Sequence, residues 1–171
     1  MRLAPSRAGF RNQECATTNQ GLTLTELLMA VVILGILGAV ALPNYFSAVQ
    51  STRQKDAASQ ISQIQTAIQG YREEFLSDPS GWDDIARITP ISTNNGSANG
   101  AQFTKIYSSN GGHYSISVTA SGEDTINISA LAESLGASSH WDIKSCLNTQ
   151  KGLADIQLGG ANFEAIAPNC E

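Results

Sequence analysis

The sequence predicts an α+β protein: one long N-terminal helix, apolar on every side in its first half and striped in its second, packed on a small antiparallel sheet whose C-terminal region is closed by a disulfide. Three observations predict it. Residues 27–42 carry no charge and no strongly polar side chain. Ala57, Ile61, Ile64, Ile68, Tyr71 and Phe75 recur at steps of four and three, the period of one helix face. Residues 113–120 and 125–130 alternate with the period of two that marks half-buried strands.

The 171 residues leave room for one globular domain and an anchor. Of ten basic and fifteen acidic side chains, Arg2, Arg7, Arg11 and Glu14 lie in the first 21 residues, so the remainder carries a net charge of −7. Clustered Lys and Arg would be needed to hold phosphate backbones, and the sequence has no such cluster. Direct nucleic-acid binding is therefore not expected.

Residues 22–42 would extend about 30 Å as a helix, the thickness of a bilayer's hydrocarbon core. The three arginines ahead of them put the N-terminus in the cytoplasm and everything after Pro43 outside it. A secretory signal peptide is the rival, with Ala39-Val40-Ala41 as a cleavage site that would release a soluble protein. Against it stand a long n-region, a helical pattern that continues past the cut, and Glu26 at the mouth of the apolar run.

The stripe at residues 57–75 leaves Arg53, Lys55, Gln60, Gln63, Gln65, Gln69 and Arg72 off the apolar face. Fewer than three heptads are sustained, which favours packing on the protein's own sheet over a coiled coil. Asp78-Pro79-Ser80-Gly81 should end the helix near Ser77. Joined to the apolar run, it would exceed fifty residues and about 80 Å.

Residues 82–88 suit a short helix and residues 93–100 a flexible loop. In the first strand Tyr114, Ile116, Val118 and Ala120 share one face, with His113, Ser115, Ser117 and Thr119 on the other. The turn Ser121-Gly122-Glu123-Asp124 should pair this strand with residues 125–130 as an antiparallel hairpin, and residues 141–146 make a third strand.

Cys15 falls in the leader, on the reducing side, whereas Cys146 and Cys170 are the only thiols of the exported part and should be joined. Metal ligation by these two is the weaker reading, since no C-x-x-C element accompanies them. Neither histidine, His113 or His140, belongs to a catalytic motif, and no cofactor fingerprint is present, so no enzyme activity is expected. The acidic pairs read as solvated, although Glu123 and Asp124 could lend oxygens to calcium.

Gly21, then Leu22-Thr23-Leu24-Thr25-Glu26, the apolar run, Gly35 and Pro43 together resemble the N-terminal signature of the type IV prepilin family, shared by pilus subunits and secretion pseudopilins. The match covers about fifty residues. Leu22 stands where the family more often has phenylalanine, and the leader is longer than in many members. The resemblance implies cleavage after Gly21 by a membrane peptidase, methylation of the amine of Leu22, and the type IV pilin fold. It also implies that Glu26 pairs with the amine of Leu22 in a neighbouring subunit. Gly35, Gly38 and Pro43 would let the helix soften and pack during assembly; Gly35 with Ala39 also forms a small-x-x-x-small pair.

The expected organisation is a cleaved leader at 1–21, a membrane-spanning assembly half-helix at 22–43, an amphipathic half-helix at 44–76 and a globular head at 77–171. The expected function is that of a major or minor pilin, anchored in the inner membrane as a single pass and then polymerised with other pilins, by inner-membrane assembly machinery, into a surface filament. Such a filament serves adhesion, motility or DNA uptake, and the acidic head makes direct DNA capture the least supported role. A pseudopilin of a secretion system is the alternative, and a membrane-anchored or released extracytoplasmic binding domain is the alternative of another class.

Overall fold

A computed structural model describes residues 21–122, 124–133 and 139–171. Residues 1–20, with Cys15, Glu123 of the acidic turn, and residues 134–138 lie outside them. The chain divides into two compact units, the first ending at Ala41 and the second comprising Leu42–Glu171.

Helix α1 spans Leu24–Phe75, and helical structure runs through Gly35, Gly38 and Pro43 without a break. In the first unit its apolar side chains are exposed among the described residues: Leu24 is 78% exposed and Leu34 68%. In the second unit the predicted stripe is buried from Ala57 to Tyr71, while Phe75, at the last turn, stays exposed. The helix ends two residues before the predicted Ser77, and Leu76 takes a left-handed backbone (φ 54°) that stops it.

Helix α2 spans Trp82–Ala86. The segment after it, expected to be a loop, contains a two-stranded hairpin, β1 Ser92–Thr93 with β2 Gly96–Ser97, because Asn94-Asn95 supplies a tight two-residue turn. A five-stranded antiparallel sheet follows in the order β3 (Ile106–Tyr107), β4 (Tyr114–Ala120), β5 (Thr125–Ala132), β6 (Ile143–Asn148), β7 (Leu153–Leu158). The predicted hairpin is present with Val118 opposite Ile128 and Ile116 opposite Ala130. The third strand begins later than expected, since residues Ser139–Trp141 form a 3-10 turn.

The register assigns the faces. Ile116, Val118, Ile126, Ile128, Ala130, Ile143 and Leu147 share the face that meets Ile61, Ile64 and Ile68 of α1, and Trp82, Ile85 and Ile91 close one end of that core. Ser117, Thr119, Asn127, Ser129 and Cys146 lie on the opposite face. In β4 two positions depart from simple alternation: Ala120 is exposed at the strand end, and Ser115 is fully buried.

Gln60 and Gln65, expected on the polar side of α1, are buried, as is Gln54. Each reaches main-chain groups distant in sequence. Gln54 Nε2 donates to the carbonyls of Trp141 (3.1 Å) and Gly159 (2.9 Å). Gln60 Nε2 donates to Ser92 O (2.7 Å) while its Oε1 accepts from Ser109 N (3.2 Å). Gln65 Nε2 donates to Cys146 O (3.0 Å).

Candidate functional site

The segment that carries the sequence signature begins in an extended backbone at residues 21–23 and becomes helical at Leu24. Thr23 is the N-cap and Glu26 the third helical residue. The Thr23 hydroxyl (2.8 Å) and main-chain N–H (2.9 Å) both donate to Glu26 Oε2, and Glu26 N donates back to Thr23 Oγ1 (3.3 Å). This is a capping box, in which two helix-start donors are satisfied reciprocally. Its signature, Thr-x-x-Glu before an apolar run, was present in the sequence and escaped the reading of Glu26 given above. Both bonds to the carboxylate fall on Oε2; Oε1 has no hydrogen-bond partner among the described residues.

Gly21, Gly35 and Gly38 have open space where a Cβ would stand, and none has a left-handed backbone. The chain's own fold therefore gives no reason for a glycine at any of the three. Pro43 lies inside α1, one residue beyond Leu42. The apolar part of α1 is long and apolar enough to cross a membrane.

In the second unit, Cys146 and Cys170 form a disulfide with their Cα atoms 6.0 Å apart, across a separation of 24 residues. Cys146 points from the sheet face opposite α1, so the bond draws the C-terminal tail over that face. Asn169 N donates to Asp155 Oδ2 (2.9 Å) beside it. The Gln157 amide, then Asn169 N–H, hold the Asp155 carboxyl below the usual carboxylate range. The groove between tail and sheet is polar, with Thr125, Asn127, Asn148 and Lys151 on its walls.

The acidic turn is tied to the helix end. Arg72 Nη1 bonds Asp78 (2.6 Å) and Thr149 Oγ1 (3.0 Å), and Arg72 Nη2 lies 3.7 Å from Asp124. The cation beside Asp124 is thus the guanidinium; among the described residues no three His, Cys, Asp or Glu side chains gather as metal ligands. His113 packs against Gly111, and burial, then Arg53, keep its imidazole below the ordinary histidine range. His140 sits in the 3-10 turn. Burial and the nearby Asp142 push the Tyr114 phenol up to about 12, and its hydroxyl donates to Trp141 O (3.0 Å).

Comparison with known proteins finds one family motif and a small set of relatives that match part of the chain. The prokaryotic N-terminal methylation motif matches residues 17–42. The type IV major pilin protein PilA of Myxococcus xanthus (strain DK1622) is 34% identical over 68 residues, covering 40% of this chain and 29% of that protein. A fimbrial protein of Pseudomonas aeruginosa is 42% identical over 48 residues, 28% of this chain and 31% of the relative. The matched part is thus less than a third of the length of either relative. No solved structure matches. The chain thus carries a prokaryotic N-terminal methylation motif at the head of a long apolar helix, followed in sequence by an antiparallel sheet and a C-terminal disulfide, and it is similar over part of its length to type IV pilin and fimbrial proteins.

Proposed function

We propose that the chain is a structural subunit of a type IV pilus, a pilin that acts through assembly and not through catalysis. A prepilin peptidase cuts after Gly21 and the amine of Leu22 is methylated. The product waits in the inner membrane as a single-pass span with its N-terminus at the cytoplasmic side. Membrane-bound assembly machinery then moves subunits into a surface filament, apolar helices inside and disulfide-closed heads outside.

The observation that carries this reading is the carboxylate at the mouth of an otherwise uncharged, uncovered helix. A charge at such a place is costly in lipid and normally has a partner. The capping box occupies Oε2, which leaves Oε1 for the amine of Leu22 in the next subunit. One glutamate then serves both helix start and subunit register, and in a low-dielectric filament core the ion pair strengthens. The unexplained glycines fit the same reading: Gly35 and Gly38 permit close helix approach and, with Pro43, lower the cost of local melting as helices pack.

Glu26→Ala and Glu26→Gln, with Thr23→Ala as the capping control, test it. All three should be processed and accumulate in the membrane, as followed by immunoblot. Thr23→Ala weakens the cap by about 1 kcal/mol and should still assemble, whereas both Glu26 variants should yield few or no filaments on shearing. Abundant filaments from both Glu26 variants would contradict the proposal.

A further inference from the structure

We propose that a groove at the start of the second unit, lined by Tyr45, Val49, Thr52, Arg53, Asp56 and His113, holds the phosphate of an anionic phospholipid headgroup before assembly. The proposal rests on the membrane-anchored reading above, and its test separates the two.

Position comes first. The apolar run ends at Leu42, and Tyr45 and Phe46 follow with their rings 64% and 63% exposed. Aromatic rings at that place are the usual interfacial belt of a membrane helix. The headgroup layer adds about 5–8 Å on each side of the hydrocarbon core. At 1.5 Å per residue, Tyr45 lies about 5 Å and the Arg53 backbone about 16 Å beyond Leu42. Helical side chains lean toward the helix N-terminus, here the membrane side, so the long arginine stem brings its guanidinium back toward the headgroups.

Charge comes second. Arg53 and Asp56 stand three apart on α1, a spacing that commonly pairs. Asp56 instead accepts a bond from Asn110 Nδ2 (2.8 Å), and among the described residues no carboxylate lies within 4.0 Å of Arg53. A planar guanidinium without a carboxylate is suited to bidentate capture of phosphate. Thr52 contributes no donor, since its hydroxyl bonds Ala48 O (3.0 Å). Tyr45, Ala48 and Val49 form an apolar floor that suits the glycerol and first acyl carbons.

The far wall is built. Gly111 and Gly112 take left-handed backbones (φ 77° and 66°), and a Cβ on Gly111 would stand 2.9 Å from His113 Nε2. Ser109 N and Asn110 Nδ2 fasten this loop to Gln60 and Asp56 of α1. The groove, about 480 Å³, is thus a fixed feature of the head.

The full-length chain is purified in detergent with equal phosphatidylglycerol and phosphatidylcholine, and retained lipids are counted by native mass spectrometry. One basic side chain at an anionic surface enriches the anionic lipid roughly fivefold, so the parent should retain phosphatidylglycerol by that factor. Arg53→Gln should bring the ratio to parity, Arg53→Lys should keep part of it, and Lys55→Gln, outside the groove, should leave it unchanged. Parity in the parent, or undiminished enrichment in Arg53→Gln, overturns the site. Stripping of the lipid by millimolar inorganic phosphate overturns the headgroup assignment in favour of a free-anion site. Flotation with vesicles after alkaline carbonate reads the span separately: a chain that floats but shows parity refutes only the lipid site, whereas one that fails to float refutes the anchor and the site with it.

Discussion

Replacing Gln60 by Ala should loosen the second unit although the residue carries no charge. Its side chain is 5% exposed and closes two main-chain bonds, Nε2 to Ser92 O at 2.7 Å and Oε1 from Ser109 N at 3.2 Å. Each such bond contributes about 0.5–1.5 kcal/mol net, and because Ser92 and Ser109 are exposed the freed main-chain groups can turn to water. Alanine is the better helix former, which returns a few tenths of a kcal/mol. The balance is a loss of about 1–2 kcal/mol, or roughly 2–8 °C in the melting temperature of a domain this size. Gln60→Leu should recover little, because it fills the volume and makes neither main-chain bond. Gln63→Ala, one turn away on the exposed side, should change stability by less than about 0.5 kcal/mol. Thermal unfolding of the full chain in detergent, followed by near-ultraviolet circular dichroism, measures all three. If Gln60→Ala melts with Gln63→Ala, the clamp described here does not hold the segment around Ser92 and Ser109 to the helix.

Two further outcomes follow from the head. Cys146→Ser or Cys170→Ser should cost about 3.5 kcal/mol by the loop-closure argument for a 24-residue separation, seen as a lower denaturant midpoint and depleted protein; undiminished stability with two free thiols would contradict it. Asp84, held by the Ser80 hydroxyl and N–H, and Asp155, held by the Gln157 amide and Asn169 N–H, both have carboxyl pKa values lowered by folding. Their stabilisation is present above the unfolded-state pKa, near 4, and is lost as pH falls through the lower folded values. Acid titration of the melting temperature should therefore be shallower in Asp155→Asn than in the parent below about pH 4, and an unchanged slope would remove Asp155 from the account.

What the sequence made legible was whatever depends on periodicity or on counting. The stripe from Ala57 to Tyr71 and the alternation in β4 and β5 are local patterns imposed by a buried face, and they appear in the fold where the pattern put them. The pairing of Cys146 with Cys170 followed from there being no third thiol after residue 21. What stayed hidden depends on distant main chain. Gln60 and Gln65 fall off the apolar stripe, and nothing in their neighbourhood announces the carbonyls of Ser92 and Cys146 that they meet. Strand β3 is only two residues long, too short for any period to show, and β7 has Leu153 on its polar face, which blurs the alternation of Ala154, Ile156 and Leu158. At the candidate site the signature residues were legible as a set, yet the Thr23–Glu26 box was missed because the glutamate's place in an apolar run drew the whole explanation toward a partner subunit.

The central claim is that residues 22–43 are the assembly element of a processed pilin, and the intact mass of the protein recovered from membranes tests it most directly. The account predicts a chain that begins at Leu22, carries one added methyl group on its amine, and is two hydrogens lighter for the Cys146–Cys170 bond. A chain that retains the leader, or one that begins at Leu42 and is found free of the membrane, would contradict it.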